Sequence, residues 1–212
     1  MNYLELINKC LLELNYKQIN TFSELVKNDH KKIKTILNVV NQEICNTDNW
    51  NFLLRKTTIT IPANTVEINN NINGRILHLF IDGKKYHYNE NFETLLYGNI
   101  KNNMYSNFNN KLLLPKFNKE KEAQILYYTK NSAIGSNNTE KEEMELETDS
   151  SLIPEPFATQ LLVYGTCLRM KANPSYIRFS YWLSMYKEAL ANLRAKTSID
   201  AKASPTIKLF RK

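Results

Sequence analysis

The sequence predicts an α+β fold: a helical layer made by the N- and C-terminal helices, with a small antiparallel β element inserted between them. Three observations predict it. Apolar residues recur at helical spacing before residue 47 and again after residue 152. Between residues 57 and 130 the period falls to two, and turn residues close each short run. Each helical stretch carries one apolar stripe, so the two chain ends must pack together to cover them. The expected organisation is one domain over 1–196, with helices at 2–47 and 152–196, a β element at 57–130 and an acidic connector at 131–150. A tail at 197–212 follows.

Taken in order, Leu4, Ile7, Leu11 and Leu14 mark a first helix, with Asn2 as its cap and Asn15-Tyr16 as its end. Thr21-Phe22-Ser23-Glu24 starts a short turn. Asp29 caps a longer helix whose apolar face is Ile33, Ile36, Leu37, Val40 and Ile44. Lys31, Lys32 and Lys34 lie near its N-terminus, where the macrodipole disfavours cations. Trp50, Phe52 and Leu53 anchor the passage into strands at Thr58 and Thr60, then Val66 and Ile68, parted by Pro62-Ala63-Asn64. Residues 74–81 form a strand, Asp82-Gly83 is a two-residue hairpin signal, and Lys84 to Tyr88 returns. Phe92 to Leu96 reads as a helical turn and Asn99 to Asn110 as a polar loop. Leu112 to Leu114 and Gln124 to Thr129 are further short strands. Ser150, Ser151 and Glu155 are capping residues, and Pro154 or Pro156 suits a first helical turn. Phe157, Leu161, Tyr164 and Leu168 make one stripe, Asn173-Pro174 breaks it, and Trp182, Tyr186, Ala189 and Leu193 make the next. The residues expected in the core are Leu11, Leu37, Val40, Leu161, Leu168, Trp182 and Leu193.

The chain has 212 residues, 42% of them hydrophobic and 23% charged, enough to bury a sizeable core. No apolar run approaches the roughly 20 residues that cross a bilayer, so no membrane is expected as a partner. Met1-Asn2-Tyr3-Leu4-Glu5 lacks the basic-then-apolar order of a signal peptide. The three cysteines, Cys10, Cys45 and Cys167, are odd in number and far apart, which fits free thiols in a reducing cytosol.

The formal net charge is +7, and it is segregated. Glu140, Glu142, Glu143, Glu145, Glu147 and Asp149 make an acidic stretch in a connector with little to bury, expected as a mobile or assembly-ordered arm. From Arg169 to Lys212 the charge is almost all basic. Complementary patches suit head-to-tail self-association as readily as nucleic-acid binding. In the tail, Thr206, Lys208 and Phe210 alternate with Ile207, Leu209 and Arg211 after Pro205, a strand-like pattern. Ile207, Leu209, Phe210 and Arg211 are the expected assembly contact, adding to a sheet edge or lying on a neighbouring ring.

Catalytic signals are sparse. His30, His78 and His87 lie on three different elements, and no His/Cys pair has metal-ligand spacing. There is no Gly-x-Ser-x-Gly, phosphate loop or His-Glu-x-x-His. With five glycines in the chain, Gly-rich cradles have little to be built from. No cofactor, metal or catalytic residue is expected.

The order of elements is more informative. The Leu4-to-Leu14 helix, Asp48-Asn49-Trp50-Asn51-Phe52-Leu53 before the first strand, and Arg75-Ile76-Leu77 entering the hairpin come first. Ile125-Leu126-Tyr127-Tyr128 follows, then Asp149 and Ile153-Pro154-Glu155-Pro156-Phe157, leading into Leu161-Leu162-Val163-Tyr164-Gly165. This order resembles the head-to-tail adaptor proteins (tail accessory or connector-ring proteins) of short-tailed bacteriophages, including the crAss-like group. The resemblance implies a non-catalytic structural subunit of the virion, made in the host cytoplasm and placed at the head–tail junction. It implies a homo-oligomeric ring of twelve-fold symmetry beneath the portal protein, touching the next ring or tail protein. Genome DNA would pass through the lumen without specific binding. A ring needs heterologous contacts between unlike faces, and an acidic connector on the lumen would repel duplex DNA. The alternative expectation is a basic nucleic-acid-binding protein using the C-terminal segment.

Overall fold

In the computed structural model the described residues are 1–90 and 103–197. The chain divides into two compact units, Leu54–Thr129 and the pair of segments Met1–Leu53 and Lys130–Lys212.

The helical unit is built from both ends of the chain. Helix α1 (Tyr3–Glu13) opens on a capping box: Asn2 Oδ1 accepts the Glu5 N–H at 2.9 Å, and Glu5 Oε2 accepts the Asn2 N–H at 3.0 Å. It ends at Asn15, whose φ of 58° is a left-handed stop. Phe22–Glu24 is a short 3₁₀ turn. Helix α2 (Asn28–Thr47) begins two residues earlier than the expected Asp29 cap implies: Lys27 precedes it with no side-chain cap, and Asp29 sits inside the first turn, accepting the Tyr16 hydroxyl at 2.9 Å. Helix α3 (Phe157–Met170) is also uncapped. Ser150 and Ser151 are in a strand instead, and Glu155 bonds the Thr159 N–H and hydroxyl. Helix α4 (Phe179–Thr197) starts later than the Ser175 restart expected from sequence.

Helix α3 lies against α1, α2 and α4, which is why Ala158, Leu161, Leu162, Val163 and Cys167 are all buried round its circumference. Gly165 makes this possible. A Cβ there would stand 2.8 Å from Val40 Cγ1 on α2 and 3.0 Å from Tyr186 Cε2 on α4. Of the expected core, Leu11, Leu37, Val40, Leu161, Trp182 and Leu193 are buried, and Leu168 is half-buried. Trp50 is also buried and closes the end of α2 by donating its Nε1–H to the Ile44 carbonyl at 2.6 Å.

The second unit is a seven-stranded sheet. Its strands are β1 (Leu54–Ile61), β2 (Glu67–Asn69), β3 (Gly74–Ile81), β4 (Lys84–Tyr88), β5 (Met104–Phe108), β6 (Lys111–Leu113) and β7 (Lys121–Thr129), in the order β1-β7-β3-β4-β5-β6-β2. Every pairing is antiparallel except β4 with β5. Asp82 (φ 50°) and Gly83 (φ 74°) turn β3 into β4 with Ile81 opposite Lys84, a two-residue hairpin with both φ positive. The sheet curls about its own core of Ile61, Leu79, Ile81, Leu112, Ala123 and Ile125, with Tyr86 and Tyr105 at its margin.

This corrects the expected fold. The chain is not a helical layer with a small inserted antiparallel β element: the sheet is large, mixed and dominant, and it has a core of its own. One strand of this sheet, β5, was hidden by composition, and the pairing of the expected strands β2 and β6 was hidden by distance. β5 lies in an asparagine-rich stretch that reads as loop, and it pairs in parallel with β4, which no hairpin signal announces. β6 pairs with β2, more than forty residues back, across Leu112 and Ile68. The helical turn expected at 92–96 lies outside the described residues, as do Ile207, Leu209, Phe210 and Arg211 of the expected tail contact.

Candidate functional site

The stretch expected as a free acidic arm is folded onto α1 and α2. Three short strands, β8 (Ala133–Ile134), β9 (Glu140–Lys141) and β10 (Ser150–Ser151), form a sheet in the order β10-β8-β9. Asp149 anchors the loop between β9 and β10. Its side chain has no solvent exposure, and one oxygen accepts the N–H groups of Glu145 at 2.8 Å and Leu146 at 2.9 Å. The Lys141 ammonium closes on the same carboxylate at 3.0 Å. Burial by itself would push the Asp149 carboxyl up; the two N–H donors and the ammonium outweigh it, and the group sits below the ordinary aspartate range.

Two asparagines on α2 hold the loop from the other side. Asn38 donates to the Met144 carbonyl at 2.8 Å and accepts the Met144 N–H at 3.2 Å. Asn41 donates to the Ser132 carbonyl at 2.9 Å and accepts the Ser151 hydroxyl at 2.7 Å. The start of α1 completes the seam: the Tyr3 and Leu4 N–H groups bond the carbonyls of Asp149 and Glu147 at 2.7 and 3.2 Å.

The predicted acidic residues are therefore distributed along an ordered ridge. Glu147 accepts the Phe22 N–H, and Glu140 accepts from Asn131 at 3.3 Å. Glu142 is exposed, with its carbonyl taking the Ser132 hydroxyl at 2.7 Å. Glu143 and Glu145 are exposed on the rim of a groove of about 650 Å³. Tyr3, Phe22, Leu25 and Met144 line its apolar part, Val39 and Gln42 stand on its α2 wall, and Lys31 and Lys34 complete the rim. Lys34 Nζ lies 4.4 Å from the centroid of the Phe22 ring, a cation–π contact. The Tyr3 hydroxyl donates to the Lys34 carbonyl at 2.6 Å, and burial, with Glu143 nearby, pushes that phenol well above its usual range.

Three arginines of the basic C-terminal segment are paired within the helical unit. Arg169 on α3 pairs with Glu43 on α2, Arg194 on α4 with Asp48 at 2.9 Å, and Arg178 with the Glu13 carboxylate at 3.3 Å. Glu13 also accepts the Trp182 Nε1–H at 3.0 Å. Acids of the N-terminal helices and bases of the C-terminal ones stitch the unit together.

Cys10, Cys45 and Cys167 are buried free thiols. Burial pushes Cys45 up to about 12 and holds Cys10 well above the usual thiol range, so these two thiols stay protonated. Among the described residues no three His, Cys, Asp or Glu side chains converge on a metal position, and no helix is long and apolar enough to cross a membrane. Sequence reasoning missed Asn38, Asn41 and the anchoring role of Asp149. The asparagines carried a signal: they stand three apart within the apolar face of α2, and a polar group facing a core requires a partner there. Asp149 was marked by its place in the adaptor resemblance, but as one acid in a run of acids it carried no sign of an anchoring role. Neither a protein-family model nor a curated protein matches this chain.

Proposed function

We propose that the chain is a structural, non-catalytic ring subunit of a short-tailed bacteriophage virion, placed between portal and tail and extending the channel through which DNA leaves. The observation that carries this reading is where the residues of the adaptor resemblance do their work. Asp48 receives Arg194, Trp50 seals the end of α2, Asp149 anchors the β9–β10 loop, and Gly165 admits α2 and α4 to α3. Asp48 and Gly165 join segments distant in sequence, and so does the Asp149 carbonyl, which accepts the Tyr3 N–H; such joints are what a load-transmitting subunit requires, while the Trp50 bond to Ile44 is local. A ring of such subunits forms by heterologous contact, portal symmetry makes it twelve-fold, and genome DNA crosses the lumen without specific binding. The nucleic-acid-binding alternative draws on a basic segment in which Arg169, Arg178 and Arg194 are already paired.

The test is imaging of particles that carry this chain. A ring of it directly under the portal is the expected result; its absence from the particle would overturn the reading. Binding of the isolated chain to duplex DNA with a steep salt dependence would favour the alternative.

A further inference from the structure

The sequence spaces its three cysteines far apart, and the fold brings two of them together. Cys10 follows Leu6 and Ile7 by four and three residues on the buried face of α1, and Cys167 follows buried Val163 by four on α3. The two helices pack on each other, and neither cysteine has any solvent exposure. In that seam the Cys10 thiol has a side-chain hydrogen bond with the Cys167 thiol. The Thr166 hydroxyl, buried with no oxygen or nitrogen partner among the described residues, stands at the same sulfur. Cys45 on α2 differs: burial alone raises its thiol, and no second thiol acts on it.

Two thiols in side-chain contact are the reduced form of a disulfide, and a low-molecular-weight disulfide is a sufficient oxidant. One protein thiolate attacks a sulfur of that reagent and expels the first small thiolate, leaving a mixed disulfide. The second protein thiolate attacks the protein sulfur of that bond and expels the other small thiolate. Two electrons pass from the protein to the reagent, and the two protons end on the two released small thiols. The Thr166 hydroxyl favours the Cys10 thiolate, while burial keeps the thiol protonated and shielded. Exchange therefore runs through local openings of the α1–α3 seam and is slow in the closed protein. The bond joins the first segment of the helical unit to the one that returns after Leu54–Thr129. It closes a loop of roughly 150 residues, which removes much of the freedom of the unfolded chain.

We infer that Cys10 and Cys167 are a latent disulfide, open in reducing surroundings and closed by exchange with a low-molecular-weight disulfide in oxidising ones, so that α1 is tied covalently to α3. Nothing in this pairing depends on the ring-subunit reading. The full-length chain, purified reduced, is incubated with oxidised glutathione in urea below its unfolding midpoint, so that the seam opens locally. It is then returned to buffer, alkylated and mapped by mass spectrometry without reduction. The expected result is a linked Cys10–Cys167 peptide pair with Cys45 alkylated. The melting temperature should stand at least about 5 °C above that of the reduced chain. Cys10→Ala and Cys167→Ala, with helical content as the folding control, should lose both the linkage and the shift, and Cys45→Ala should keep both. The wild-type peptide map decides the matter even where a variant fails to fold. Cys10 and Cys167 that stay alkylated, or that carry only glutathione, would overturn the pairing. So would a bond to Cys45, or a Cys10–Cys167 bond that lowers the melting temperature, since the folded seam would then reject it.

Discussion

Lys141 and Asp149 meet at 3.0 Å with the carboxylate wholly removed from water and the lysine still a quarter exposed. The pair closes a loop that composition alone marks as unstructured. Its stability contribution has a definite pH sign. The folded carboxyl lies below its ordinary value, so its contribution is fully present above the unfolded value of about 4 and is lost as pH falls through the lower folded value. Asp149→Asn should cost about 1–3 kcal/mol near neutrality, because the Glu145 and Leu146 N–H groups lose a charged acceptor. Urea unfolding of both proteins at pH 7 and pH 3 checks it; the gap should narrow at pH 3.

Hydrogen exchange gives a second check on the same loop. The amides of Glu145, Leu146 and Met144 are bonded to Asp149 and Asn38 and should exchange slowly in the native protein. In Asn38→Ala the Met144 amide should speed up, while amides of α4 keep their protection. Uniformly fast exchange across 141–149 in the wild type would contradict the ordered ridge.

Gly165 should tolerate no side chain. Alanine ordinarily gains about 0.5–1 kcal/mol over glycine in a helix, yet here its Cβ meets Val40 and Tyr186 at 2.8 and 3.0 Å. Gly165→Val should therefore lose stability, by about 1–3 kcal/mol from overpacking. Leu161→Ala probes the opposite failure: with no exposure, on a helix packed against three others, it should cost about 2–5 kcal/mol as a cavity. Chemical denaturation midpoints measure both.

The arginine stitches should behave differently. Arg169, Arg178 and Arg194 are each partly exposed, and exposed pairs contribute about 0–1 kcal/mol. Arg194→Ala should lower the melting temperature only slightly and should lose its effect in high salt. A large loss would mean that the aliphatic stem, not the charge, was the working part.

Local chemistry was legible in the sequence and long-range pairing was not. The Asn2 cap, the Asp82-Gly83 hairpin and the burial of Leu37, Leu161 and Trp182 each follow from neighbours a few residues away. The β4–β5 and β2–β6 pairings follow from the closing of a sheet, and polar strands such as Met104–Phe108 signal it weakly. The ridge was read as an arm because its low apolar content was weighed against its own length. The partners that hold it, Asn38 and Asn41, are about a hundred residues upstream.

The insertion of the Leu54–Thr129 unit between the two halves of the helical unit also sets a schedule for biosynthesis. The ribosome releases α1 and α2 with their apolar faces uncovered, and the helix that covers them is translated only after roughly a hundred further codons, several seconds later at about 5–20 residues per second. During that interval the sheet, whose strands are all contiguous in the nascent chain, can complete itself. The faces of α1 and α2 that pack against α3 must wait for it. The nascent N-terminal segment is thus the point at which a chaperone has both time and surface to act.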